Sequence, residues 1–116
     1  MAERFEELGV WQKAHSLVLR VYHDTAAIPA EEKFGLISQM RRAAVSVPAN
    51  IAEGFKRRSR RDKAHFYNMA EGSLQELRYY FILCRDLGHK LDHEALAESA
   101  DEVARMLHGL ASSVRD

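Results

Sequence analysis

Apolar side chains recur every three to four positions along almost the whole of this 116-residue chain, and only two prolines occur, Pro29 and Pro48. The period-two alternation of a half-buried strand is absent. A chain patterned this way is confined to helices that bury one face against other helices.

Four helical periods can be read. The first runs from about Leu8 to Ala26, with Trp11, Ala14, Val18 and Val21 spaced three to four apart and Leu17 and Tyr22 flanking them. Ile28-Pro29-Ala30 breaks it. The second runs from about Glu31 to Lys56 and places Phe34, Ile37, Arg41, Ala44, Pro48, Ile51 and Phe55 on one face. Glu31 and Glu32 suit its first turn, where the helix dipole favours anions. Pro48 has no amide to offer Ala44, and it biases Val47 away from helix. The apolar period stays in phase on both sides, so a kink within one helix is expected.

The third period starts near Ser59. Ser59-Arg60-Arg61-Asp62 resembles a capping box with Asp in the acidic place. Phe66, Ala70, Ser73, Leu77, Tyr80 and Cys84 form its seam, and Gly88 follows as a C′ residue. The fourth starts after Asp92, a good N-cap. Leu96, Ala100, Val103, Leu107, Leu110 and Val114 give it a heptad seam, with Glu98, Asp101 and Glu102 on the outer face.

Four amphipathic helices joined by short turns predict an all-α, antiparallel up-down four-helix bundle forming a single domain over residues 1–116. The 47% apolar content suits a folded core of this length. Three helices with a flexible tail is the alternative, and the regular fourth seam argues against it. Within LRYYFILC, Tyr79, Phe81, Ile82 and Leu83 point away from the third seam in several directions. A helix apolar on more than one side calls for a second cover, so self-association through these residues is expected.

Seventeen Lys and Arg balance seventeen Asp and Glu, so the chain as a whole is no generic polyanion binder. The local distribution is uneven. Lys56, Arg57, Arg58, Arg60, Arg61 and Lys63 put six cations into eight residues, opposed only by Asp62. They fall at the turn between the second and third helices, beside a helix N-terminus with unpaired amides. Cations and a helix N-terminus together suit phosphate, so backbone-directed binding of RNA or DNA is the leading expectation. A merely solvated turn is the alternative.

Gln39, Arg42, Ser46, Asn50 and Glu53 make a polar stripe on the second helix, opposite its apolar face. Ser and Asn compete for backbone bonds in helices, so the stripe reads as a contact surface or as repair of carbonyls freed by Pro48. The rival function is therefore a protein-interaction scaffold that binds no nucleic acid. Arg41 falls on the apolar face and is expected to pair with Glu76. Gly54 reads as a helix end and Gly72 as a close helix crossing. None of the six histidines has Glu-x-x-His spacing, so no metal or other cofactor is expected. Cys84 reads as inert core, and no nucleophile arrangement supports an enzyme. Neither an export signal nor a membrane span is read, which makes the cytoplasm the default.

The stretches FEELGVWQKAHSL, EKFGLISQMRRAAVSVPANIAEGFKR and HFYNMAEGSLQELRYY resemble the small four-helix proteins encoded in intervening sequences of bacterial large-subunit ribosomal RNA genes. RRAAxSxxxNIAEG is the specific part, and the likeness covers the first three helices. It implies an antiparallel bundle assembled as a homopentamer. A weaker likeness extends to the accessory variability protein of diversity-generating retroelements, a basic pentamer that binds nucleic acid and a reverse transcriptase. The motif residues are Gln39, Arg41, Arg42, Ser46, Asn50, Glu53, Gly54, Gly72, Ser73 and Glu76, and the resemblance implies no catalytic role for any of them.

Overall fold

The structure is a computed structural model that describes residues 1–115. Helices α1 (Gly9–Thr25), α2 (Ser38–Lys56), α3 (Arg60–Asp86) and α4 (His93–Ser112) form an up-down bundle, with no strand among the described residues. Each helix packs on its neighbours in the cycle α1–α2–α3–α4–α1, most extensively between α2 and α3. The result is a rod of 43 × 23 × 23 Å.

Local chemistry sets the helix ends. Ser59 Oγ accepts the Asp62 amide at 3.0 Å and starts α3. Asp92 Oδ1 accepts the Ala95 amide at 3.2 Å and starts α4. Gly88 ends α3 at φ +81°, which a side chain would oppose. Its amide donates to Arg85 O at 3.1 Å and the His89 amide to Cys84 O at 3.0 Å, the paired bonds of a Schellman cap. α2 runs as one helix through Pro48, which is buried.

Leu17, Val21, Met40, Val47, Ile51, Leu77, Leu96, Val103 and Leu107 are enclosed in the centre. Each contributes on the order of 1.5–3 kcal/mol by leaving water. Two seams differ from their sequence reading. In α3 the buried residues are Tyr67, Ala70, Leu74, Leu77, Phe81 and Cys84. The stripe is rotated from the expected one because α3 must cover both α2 and α4. Phe66, Ser73 and Tyr80 are left half-buried at its edge. Phe81 is thus 6% exposed and part of the protomer's own core, not an outward residue. Leu83 is partly buried against that core, whereas Tyr79 and Ile82 remain exposed.

The second difference precedes α2. A 3-10 turn at Ala30–Glu32 and a π-helical turn at Lys33–Ile37 replace the expected regular helix. The wider turn shifts the register: Ile37 is buried as expected, Leu36 joins it in the core, and Phe34 stands 90% exposed.

The close crossing also falls at a different glycine from the expected one. Gly54, near the end of α2, is the close crossing: a Cβ there would lie 2.6 Å from Tyr67 Cε1. Gly72 is exposed and a Cβ there would meet nothing within 4 Å.

Arg41 does not pair with Glu76. Its Nε donates to Thr25 Oγ1 at 3.0 Å and its Nη2 to Tyr22 O at 3.3 Å, with the guanidinium 4.6 Å over the Tyr22 ring. The C-terminal carbonyl end of α1 attracts a cation as a carboxylate would. Glu76 instead accepts from Tyr80 Oη at 2.9 Å.

Candidate nucleic-acid interface

The α2–α3 turn brings the basic run to the end of the rod where α1 begins and α4 finishes. The six cations divide into two groups. Lys63 Nζ donates to Phe55 O at 2.8 Å and Gly54 O at 3.3 Å, closing the carbonyl end of α2. Arg57 pairs with Glu53 at 2.8 Å and lies 4.7 Å over the Phe66 ring. Arg60 Nη2 reaches Ser113 O at 3.1 Å and Arg115 O at 3.4 Å, tying the start of α3 to the end of α4. These three are engaged within the protomer.

Lys56, Arg58 and Arg61 are exposed. Among the described residues none of them takes a hydrogen-bond or ion-pair partner. Arg58 and Arg61 flank the first turn of α3, whose leading amides have no intrahelical acceptor. Exposed guanidinium groups beside a helix N-terminus can take a phosphate by charge-assisted bonds without first breaking a contact within the protein.

The polar stripe also divides. Asn50 Nδ2 donates to Ser46 O at 2.8 Å and to Ser46 Oγ at 2.9 Å. Ser46 Oγ also lies 2.8 Å from Ser73 Oγ, so the two hydroxyls share a hydrogen bond across the α2–α3 contact. This part of the stripe joins two helices, and the Asn50 amide does not go to the Ala44 carbonyl that Pro48 leaves free. Gln39, Arg42 and Glu53 stay exposed.

Neither Thr25 as the anchor of Arg41 nor Lys63 as a cap of α2 was expected from the sequence. A Lys shortly after a helix end was the available signal for the second.

Burial, with the charge of Glu32 second, raises the Cys84 thiol to about 11. Such a thiol is almost wholly protonated near neutrality and a poor nucleophile. Among the described residues no group of three or more His, Cys, Asp or Glu side chains is placed to hold a metal ion. No helix among them is long and apolar enough to cross a membrane.

No curated protein matches the chain significantly. A solved structure from Bacteroides thetaiotaomicron, described as a protein of unknown function from the S23 ribosomal protein family, superposes with a TM-score of 0.80. The match covers 89% of this chain and 95% of that one at 21% identity, a likeness of fold. The model of the 23S rRNA-intervening sequence protein family matches residues 6–109. With nearly the whole bundle inside that match, the chain belongs to the 23S rRNA-intervening sequence protein family.

Proposed function

We propose that this protein is a non-enzymatic, cytoplasmic helical bundle that self-associates and binds RNA or DNA through the phosphate backbone, without sequence preference. The observation that supports the reading is the division of the basic run. Arg57, Arg60 and Lys63 are engaged within the fold, while Lys56, Arg58 and Arg61 face water around the α2–α3 turn. With a balanced net charge, long-range steering is weak and binding depends on these local contacts. Three phosphate contacts per protomer give a salt slope of about −2 on single strands. Assembly of protomers, as the pentamer implied by family resemblance would provide, raises affinity by avidity.

The test is mass by light scattering with and without a mixed-sequence RNA, at low and moderate salt, on wild type and an Arg58→Glu/Arg61→Glu variant. An oligomer that takes up RNA at low salt, releases it as salt rises, and loses it in the variant is expected. A variant that binds RNA as tightly as wild type overturns the reading.

A further inference from the structure

At the other end of the rod, an open groove of about 650 Å³ lies between the end of α1 and the start of α2. Its apolar walls include Phe34, Tyr22 and Val45, exposed by 90%, 43% and 42%. Its charged lining is Lys33, Arg41 and Arg42, and no Asp or Glu lines it.

These charges are not neutralised from nearby. The bonded acceptors of Arg41 are a hydroxyl and a carbonyl, so its guanidinium is held in place and keeps its full charge. Lys33 Nζ lies 5.6 Å from the centroid of the Phe34 ring, and Arg42 is exposed. Asp24 lies against Arg20 and His23, Glu32 stands 3.5 Å from His89, and exposed Glu31 pairs with none of the three cations among the described residues. The α1 carbonyl end is partly negative, but Arg41 already occupies it. Lys33 and Arg42 carry the surplus positive charge.

We infer that this groove is a docking site for an acidic amphipathic helix of a partner protein. Apolar side chains at i, i+3 and i+4 would pack on Phe34, Tyr22 and Val45, while Asp or Glu on the flanking positions met Lys33, Arg41 and Arg42. Two observations argue for this occupant. The first is charge complementarity, since a groove with three cations and no acid attracts an acidic segment and repels a basic one. The second is the display of Phe34: the π-helical turn at Lys33–Ile37 holds a large aromatic ring in water, and such turns concentrate at functional positions. The groove is separate from the basic turn, so occupation of one leaves the other open.

The probe is a phage-displayed library of random peptides of about 16 residues, roughly four helical turns, selected against wild-type protein. Selected sequences should combine apolar residues at helical spacing with Asp and Glu. They should bind roughly tenfold or more weakly to Phe34→Ala and to Arg42→Glu, as loss of a central anchor does. Both positions are exposed, so neither variant should lose the fold, which circular dichroism checks. An Arg58→Glu/Arg61→Glu variant should bind the same peptides as wild type. Selected peptides that lack acidic residues, or that bind both groove variants undiminished, overturn the inference. So does a fall in oligomer mass on Phe34→Ala, which would make the occupant a second copy of this chain.

Discussion

The ring of Tyr67 occupies the space that a side chain on Gly54 would need: a Cβ built there stands 2.6 Å from Cε1 and 2.8 Å from Cδ1. Tyr67 is buried and belongs to α3, while Gly54 belongs to the last turns of α2. A close approach of α2 and α3 therefore sits beside the basic turn.

Gly54→Ala should destabilise the fold. Helix propensity favours Ala by about 1 kcal/mol, but overpacking against an enclosed ring costs about 1–3 kcal/mol. A net loss of about 1 kcal/mol is expected in urea unfolding. Gly72→Ala is the control, with open space around its Cβ, and should gain about 0.5–1 kcal/mol. Equal effects at the two glycines would contradict the assigned crossing.

Arg41 and Thr25 act as one unit across α1 and α2. Thr25 Oγ1 donates to Val21 O at 2.7 Å and accepts Arg41 Nε at 3.0 Å. Arg41→Met and Thr25→Val should each cost about 1–2 kcal/mol, because each leaves a partner unsatisfied. The double variant should cost less than their sum, with a coupling above about 0.5 kcal/mol. Strict additivity would show that the bond contributes nothing.

Stability and nucleic-acid affinity should separate within the basic run. Lys63→Ala removes the cation at the α2 carbonyl end and should lower stability by about 0.5–1.5 kcal/mol. Arg58→Ala should stay within about 0.5 kcal/mol of wild type. RNA affinity, read by fluorescence anisotropy at low salt, should fall more for Arg58→Ala than for Lys63→Ala. The opposite order would mean that the exposed cations are not the binding ones.

Alkaline pH should weaken the fold through Cys84. Burial, and then Glu32, raises the folded thiol from 9.0 to about 11. The folded state thus favours the protonated form. Its contribution is complete below about pH 9 and is lost as pH rises through about 11, with up to about 2–3 kcal/mol at stake. Tyr67, raised from 10.0 by burial, acts in the same direction at higher pH. The urea midpoint should fall more steeply between about pH 9 and 11 in wild type than in Cys84→Ala. Parallel curves would remove Cys84 as the cause.

The sequence by itself determined the helix number, their order and the caps of α3 and α4. Ser59, Gly88 and Asp92 could be read because capping is local: the side chain or backbone angle that ends a helix lies within a few residues of the end. The bundle followed, since four amphipathic helices on short turns have few other ways to bury their stripes.

Only the tertiary structure decided which of several adjacent faces each helix buries. The α3 stripe turned toward Tyr67, Leu74 and Phe81 because two neighbours, not one, had to be covered. It also decided partners. Arg41 found the end of α1 instead of Glu76, and half of the basic run was engaged by carbonyls and an acid of the same bundle. The groove at Phe34 could not be read either, because a π-helical turn shifts the register without leaving a periodic trace. Charge and polarity are written in the sequence, but whether a charge meets water or a carbonyl depends on which helices become neighbours.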